Sequence, residues 1–410
     1  MGYTNVANMD GGVTAWRERA TRPSDSATVS GHKLLAVELG AFGFFGLFWG
    51  VFAVLLADLT RALDLSPGPL GLALFVGASA SILAMVSLGW TADRLGRRAF
   101  LMVTGCVIGF GIVGLALAGG YAALLLTLIV LYSASGLYDV GINASAVDLE
   151  QVTGRRFMSL LHAAFSGGAM VGAIGAGVVI QAGADYRMVF LALLVPLASV
   201  ILVVAATRFP AAANWSFASD EGKRTGGLTR HLPLLLVGVI ATLGLLSEGE
   251  MEHWSGIYLR HTLGLPAVFG GSGVAVFYAA MAAGRLGTAW AVRSFGNRRT
   301  LLVAGLFTAG GMGLALATRE PLLVVCGFLV VGLALSAVAP IAFSAAGDFA
   351  PERAGWAISV VTTLGYGGFL LGPVVVGALA ELLGLRIALS TIAAAGVLIS
   401  ALALRLKKAA

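Results

Sequence analysis

A carboxylate set in an apolar stretch can carry a proton or grip a polar solute, and Asp139 is such a group. No charged side chain separates it from Arg98. Ser135, Asp139 and Asn143 follow one another at four-residue steps, so a helix presents them on one face. Asp148 comes nine residues later, roughly 13 Å along a helix, which sets Asp139 well inside its segment. Ionisable groups at such depth in a membrane are rare and serve a partner or a function. Two roles are open: proton coupling or substrate binding, and a structural hydrogen bond across helices with His162 as the partner.

A second concentration is Glu248, Glu250, Glu252 and His253. Glu248, Glu252 and Ser255 share a helix face, and Glu250 points elsewhere. Three acids and an imidazole raise the question of a metal, but no ligand pair has a recognised metal spacing, so no metal and no other cofactor is expected. Glu248, the deepest, is a further coupling candidate, whereas Glu250 and Glu252 can reach a wet outer vestibule. Arg285 is the one cation deep within an apolar run, placed to neutralise a helix C-terminus or an acid on a neighbour, with a structural ion pair the favoured role.

Phe42, Phe45, Trp49 and Phe52 form a stripe at i, i+3, i+7 and i+10. Core packing is the plainer reading; facing a cavity, the stripe offers stacking surface to a sugar ring or an aromatic solute. Trp254 and Tyr258 make a second such pair.

These residues need helices that cross a bilayer. The 410 residues are 58% hydrophobic and 11% charged, with a mean hydropathy of +0.93, which is outside the range of soluble domains. Apolar runs long enough to span are expected at 34–57, 70–90, 99–118, 121–147, 157–181, 188–207, 232–258, 268–292, 300–317, 321–346, 355–380 and 387–404. Residues 1–33 read as a cytoplasmic tail without a secretory signal, 208–231 as a solvated linker, and 406–410 as a short cytoplasmic tail. Two bundles result, 34–207 and 232–405. Arg61, Arg187, Arg260, Arg319 and Arg386 fall outside and Arg285 within a span, while every other cation falls inside, which puts both termini in the cytoplasm. Clustered at helix ends, the net charge of +6 marks topology rather than nucleic acid. Cys106 and Cys326 lie within spans, where thiols pack as small hydrophobes rather than forming disulfides.

The chain also repeats itself. Residues 89–98 (GWTADRLGRR) and 289–298 (AWAVRSFGNR) keep a tryptophan, a glycine and the last arginine in register. The same offset of 200 aligns Ser159, Gly167, Gly168, Gly172 and Gly177 with Ser359, Gly367, Gly368, Gly372 and Gly377. Duplicated halves follow.

Gly89, Asp93, Arg94, Gly96, Arg97 and Arg98 complete the pattern G-x-x-x-D-R-x-G-R-R, and with it the chain resembles the major facilitator superfamily. In the second copy Arg293 stands where the family has its acid. The resemblance implies an all-α membrane protein with twelve transmembrane helices in two pseudo-symmetric six-helix bundles. It also implies a central cavity lined by the first, fourth, seventh and tenth spans. On that basis Asp139, Glu248 and His162 are candidates for proton coupling, and Ser135, Asn143, Trp49, Phe52, Glu252, Trp254 and Tyr258 for substrate contact. The six loop residues would latch the two halves at the inner surface and stabilise the outward-open state.

The implied protein is a monomeric secondary transporter of the inner membrane that moves a small organic solute by alternating access. Its partners are that solute, protons and lipid, with no nucleic acid. No P-loop and no catalytic constellation is present, which argues against an ATP-driven pump and against an enzyme. The fourth span lacks the arginine of drug/proton antiporters, and Ala173 stands where its repeat partner is Pro373. The pattern therefore leans toward fucose-permease-like symporters of sugars and metabolites, with a proton-coupled exporter of a drug or metabolite as the alternative.

Overall fold

The structure, a computed structural model, describes residues 25–155, 157–209, 232–349 and 354–406. The 1–33 tail up to residue 24, the 208–231 linker from residue 210 and the C-terminal tail from residue 407 lie outside those residues. So do the side chains of Ser159 and Ser359.

Among the described residues all regular structure is helical. The first six spans are Asp25–Ala62, Pro67–Leu88, Arg97–Leu117, Tyr121–Thr153, Met158–Gln181 and Tyr186–Ala206. The seventh, Leu232–Ile257, is continued by a π-helical turn, Tyr258–Thr262. The 51 residues of Ala267–Ala317 form one hydrogen-bonded run. Straight, it would be roughly 75 Å long, against about 30 Å of hydrocarbon. It turns at Gly296, and the parts on either side are the eighth and ninth spans. Pro321–Ala346, Ala354–Leu383 and Leu385–Arg405 complete the expected twelve.

Interruptions within spans follow the sequence. Proline lacks an N–H and crowds the carbonyl four residues before it. The sixth span breaks at Leu193, beside the residue four before Pro196, and the tenth breaks after Leu335, at the residue four before Pro340. Pro373 is accommodated inside the eleventh helix.

The repeat is visible in the backbone. Gly96 (φ 77°, ψ 151°) and Gly296 (φ 76°, ψ 161°) make the same turn, which only glycine adopts without strain. Asp64 and Gly264, also 200 apart, are both left-handed, at φ 50° and 69°.

Small residues set the helix crossings. A Cβ placed on Gly168 would stand 2.0 Å from the Gly43 oxygen, and one on Gly368 would stand 2.1 Å from the Thr242 oxygen. The first span thus meets the fifth, and the seventh the eleventh, backbone to backbone, as suits a solvent in which apolar burial gives helices no reason to associate.

The halves meet by the same device. A Cβ on Gly71 would stand 2.5 Å from the Pro373 oxygen, and one on Gly271 would stand 2.4 Å from the Ala173 oxygen. These second–eleventh and fifth–eighth crossings lie at the ends of the spans remote from the Gly89–Arg98 loop. A partly buried ion pair between Asp58 and Arg260 joins the first and seventh spans at that same face.

Cys106 and Cys326 are free, and they differ from the expectation of packing. Both are exposed on the outside of the bundle, where lipid would lie.

Candidate functional site

Between the halves lies a cavity of about 370 Å³, walled by the first, second, fourth, fifth, seventh, eighth and eleventh spans. A larger cleft, about 660 Å³, sits beside Phe295–Arg299 and takes its described walls from the second half alone. The central cavity takes its walls from both halves and gathers Asp139, Glu248, Glu252 and His162, which selects it as the candidate site.

The fourth span brings Tyr132, Ser135 and Asp139 to the wall. Asn143 Nδ2 donates to Asp139 Oδ1 at 2.9 Å, one turn away on the same helix. The partner of Asp139 is therefore Asn143 and not His162, which also lines the cavity but packs its ring edge-on to Phe42, centroids 5.5 Å apart. Asn143 itself is behind the wall, orienting the acid. Ser135 Oγ is buried, has no hydrogen-bond partner and borders the cavity.

From the seventh span come Glu248, Glu252 and His253. Arg285 of the eighth span pairs with Glu248 at 3.2 Å, as its isolation in an apolar run suggested. Tyr278 donates its hydroxyl to Glu252 at 2.7 Å. His253 Nδ1 is 2.7 Å from the Gly249 carbonyl, which can only accept, so Nδ1 carries the proton. In the neutral ring Nε2 then accepts from Tyr132 Oη at 3.1 Å, a bond that ties the two halves together across the cavity.

Aromatic rings form the remaining wall. Phe42, Phe45 and Trp49 line it, with Tyr132 edge-on to Trp49 at 5.0 Å and Phe165 against Phe45 at 5.7 Å, while Tyr366 and Phe369 come from the other half.

Several expectations are corrected. Phe52 is 1% exposed and packs behind Trp49, further along the first span toward its Asp58 end. Trp254 and Tyr258 are wholly enclosed, Tyr258 within the π turn, and neither borders the cavity. Glu250 reaches no vestibule; it is enclosed and accepts from Thr391 of the twelfth span at 2.9 Å. The tenth span gives the cavity no described residue. The seventh and eighth close over it, where a Cβ on Gly244 would meet Val338 at 2.6 Å and one on Gly284 would meet Ser336 at 2.2 Å.

In this conformation the Gly89–Arg98 loop is bound within its own half. Arg97 holds Asp93 at 2.6 Å and Asp148 of the fourth span at 2.8 Å, and Arg94 lies over the Trp90 ring at 4.8 Å. Gly96 makes the turn, Gly89 precedes it, and Arg98 is exposed. No hydrogen bond or ion pair among the described residues carries the loop to the other half, so the expected latch is not made here.

Sequence reasoning missed Tyr132, Tyr278, Tyr366 and Phe369. Tyr132 stands three residues before Ser135 on the stripe already recognised, and Tyr278, Met281 and Arg285 follow at i, i+3 and i+7, so both signals were present. The eleventh-span pair, Tyr366 and Phe369, had none. Glu38 was also passed over. It is a lone acid in the first apolar run, fully buried and bonded by the hydroxyl of Ser145.

The family model described as Major Facilitator Superfamily matches residues 39–317 and 254–409. An uncharacterized MFS-type transporter of Yersinia pestis is 31% identical over 356 residues, covering 86% of this chain and 90% of its own. The membrane protein MosC of Rhizobium meliloti is 28% identical over 370 residues, 90% of this chain and 89% of its own. Among solved structures, a mutant of the nucleoside transporter NupG superposes with a TM-score of 0.77 at 15% identity, over 90% of this chain and 99% of that one. A bacterial homolog of the human lysosomal transporter Spinster, inward-facing and occupied, gives 0.72 at 15% identity, over 90% and 95%.

Proposed function

Because the chain belongs to the major facilitator superfamily, we propose that its central cavity carries a small polyhydroxylated solute, sugar-like in chemistry, in symport with a proton that Asp139 binds. The observation that carries this reading is the difference among the three cavity carboxylates. Glu248 has a guanidinium and Glu252 a phenol. Asp139 has only the amide of Asn143 and no ion-pair partner among the described residues. Asp139 and Glu252 both lack a cation, and a carboxylate so placed in a low-dielectric site gains from a proton and yields it once water enters; Asp139 is bound only from within its own helix, whereas Tyr278 ties Glu252 to the eighth span.

Solute chemistry follows from the wall. Ring faces of Trp49, Phe165 and Phe369 suit the apolar face of a sugar ring, and carboxylates with the free Ser135 hydroxyl suit its hydroxyl groups. With the basic loop inside, both termini are cytoplasmic and the clamped face is the outer one, so this conformation faces inward. A single chain contains the whole cavity, which supports a monomer in the bacterial inner membrane.

Three carboxylates against one guanidinium also suit a cation, and on that observation the second reading is a proton-coupled exporter of cationic solutes. A thermal-shift screen against sugars, organic acids and organic cations separates the two, since a bound ligand raises stability by mass action. With the solute in hand, Asp139→Asn in proteoliposomes should retain exchange and lose accumulation driven by a pH gradient. Accumulation equal to the parent's would remove Asp139 as the coupling acid.

A further inference from the structure

Beneath the loop, outside the cavity, the fourth span carries a second polar face. Ser135 and Asp139 look into the cavity, whereas Tyr138 and Ser145 turn to the first span and Asp148, three residues on, pairs with Arg97. There Tyr138 packs on Phe45, with centroids 5.5 Å apart, and Ser145 Oγ donates to Glu38 Oε1. Glu38 is 0% exposed and does not border the cavity.

Three oxygens in this cluster are buried without a hydrogen-bond partner: Glu38 Oε2, Asp148 Oδ1 and Tyr138 Oη. Asp148 and Tyr138 are both within electrostatic reach of Glu38. Arg97 already serves two carboxylates, and Glu38 has no ion-pair partner among the described residues. Other titratable groups presented to the first span are remote from Glu38 or indirect. His162 of the fifth span meets the first at Phe42, and Arg260 and His261 of the seventh meet it at the outer end near Asp58.

An ionised carboxylate with one bare oxygen and no cation is strongly disfavoured in such surroundings, and neutralisation relieves it. We propose that Glu38 holds a proton in this conformation, at a protonation site separate from the cavity and linked through Ser145 and Asp148 to the Asp93–Arg97 loop. A proton on Oε2 converts that orphan acceptor into a donor, and Asp148 Oδ1, itself an unpartnered buried acceptor in the same cluster, is the group such a donor would serve. Opening the loop would move Asp148 and Arg97 and so change the affinity for that proton, which couples the loop's position to proton occupancy.

Infrared spectroscopy of the purified full-length protein at neutral pH reads this directly. A hydrogen-bonded carboxylic-acid C=O band should be present in the parent, lost in Glu38→Gln, and retained in Asp139→Asn. Ser145→Ala should shift the same band toward the non-hydrogen-bonded position, and this serves if Glu38→Gln does not fold. Acid bands unchanged in Glu38→Gln, or unshifted in Ser145→Ala, would overturn the proposal while leaving the role of Asp139 in the cavity intact.

Discussion

The carboxylate of Glu381, at the end of the eleventh span, accepts a hydrogen bond from the backbone N–H of Gly68, at the start of the second span in the other half, at 2.9 Å. Two hundred residues earlier Gln181 does the same for Ala267 at 3.1 Å. Each half thus supplies a side-chain cap to a helix N-terminus of the other, satisfying a donor that the helix leaves unpaired. Both caps must break if this face is to open.

Removing one cap should favour opening. A helix cap is worth about 1 kcal/mol, so Glu381→Ala is expected to shift the equilibrium roughly fivefold toward the state in which this face is open. Glu381→Gln should leave it near the parent, because Gln181 already performs the same task with an amide. Spin labels at Ser66 and Leu382 supply the distance distribution, and identical populations in Ala, Gln and parent would refute the assignment.

The crossing of the first and fifth spans gives a paired test of packing. Gly168→Ala should strongly destabilise the protein, since its Cβ would stand 2.0 Å from a backbone oxygen. Gly167→Ala, with nothing within 4 Å, should be neutral. Thermal unfolding of the two purified variants is the measurement, and equal midpoints would contradict the close approach.

Arg97→Ala leaves Asp148, 2% exposed, as a buried carboxylate without its cation. Breaking such a pair costs about 3–5 kcal/mol. Asp93, 43% exposed, contributes to a pair largely in solvent; Asp93→Asn should cost about 1 kcal/mol or less. Denaturation of both variants should rank them in that order.

Trp49 and Phe52 are neighbours on one helix with different tasks. Trp49→Leu should diminish the thermal shift produced by solute while the protein remains folded. Phe52→Ala should lower stability by about 3–5 kcal/mol and leave the ligand-induced shift of the remaining folded protein intact. Reversal of those two outcomes would place the cavity wall elsewhere.

Orientation is open to labelling in intact cells. In a background lacking Cys106 and Cys326, a thiol at Ser66 should react with an impermeant reagent and one at Arg98 should not. Reaction at Arg98 would invert the topology.

The linear order of residues is enough to specify the number of spans, the internal repeat, the loop with its turning glycines, and the presence of acids inside apolar runs. Those properties are local or periodic: a run of about twenty apolar residues crosses a bilayer whatever its neighbours, and Gly96 and Gly296 are written in the same register. The same order marks Asp139, Glu248, Glu252, His162, Ser135 and Trp49, which the structure gathers around one cavity. Which face of each helix meets that cavity is settled by packing between helices. Trp254, Tyr258 and Phe52 have the same chemistry as rings on the wall, yet a rotation of the helix or a π turn puts them in the core. The eleventh span displaces the tenth from the wall, and Glu38 finds Ser145 from 107 residues away. Such relations depend on how deeply glycine lets one helix settle against another, and no spacing along a single chain segment records that distance.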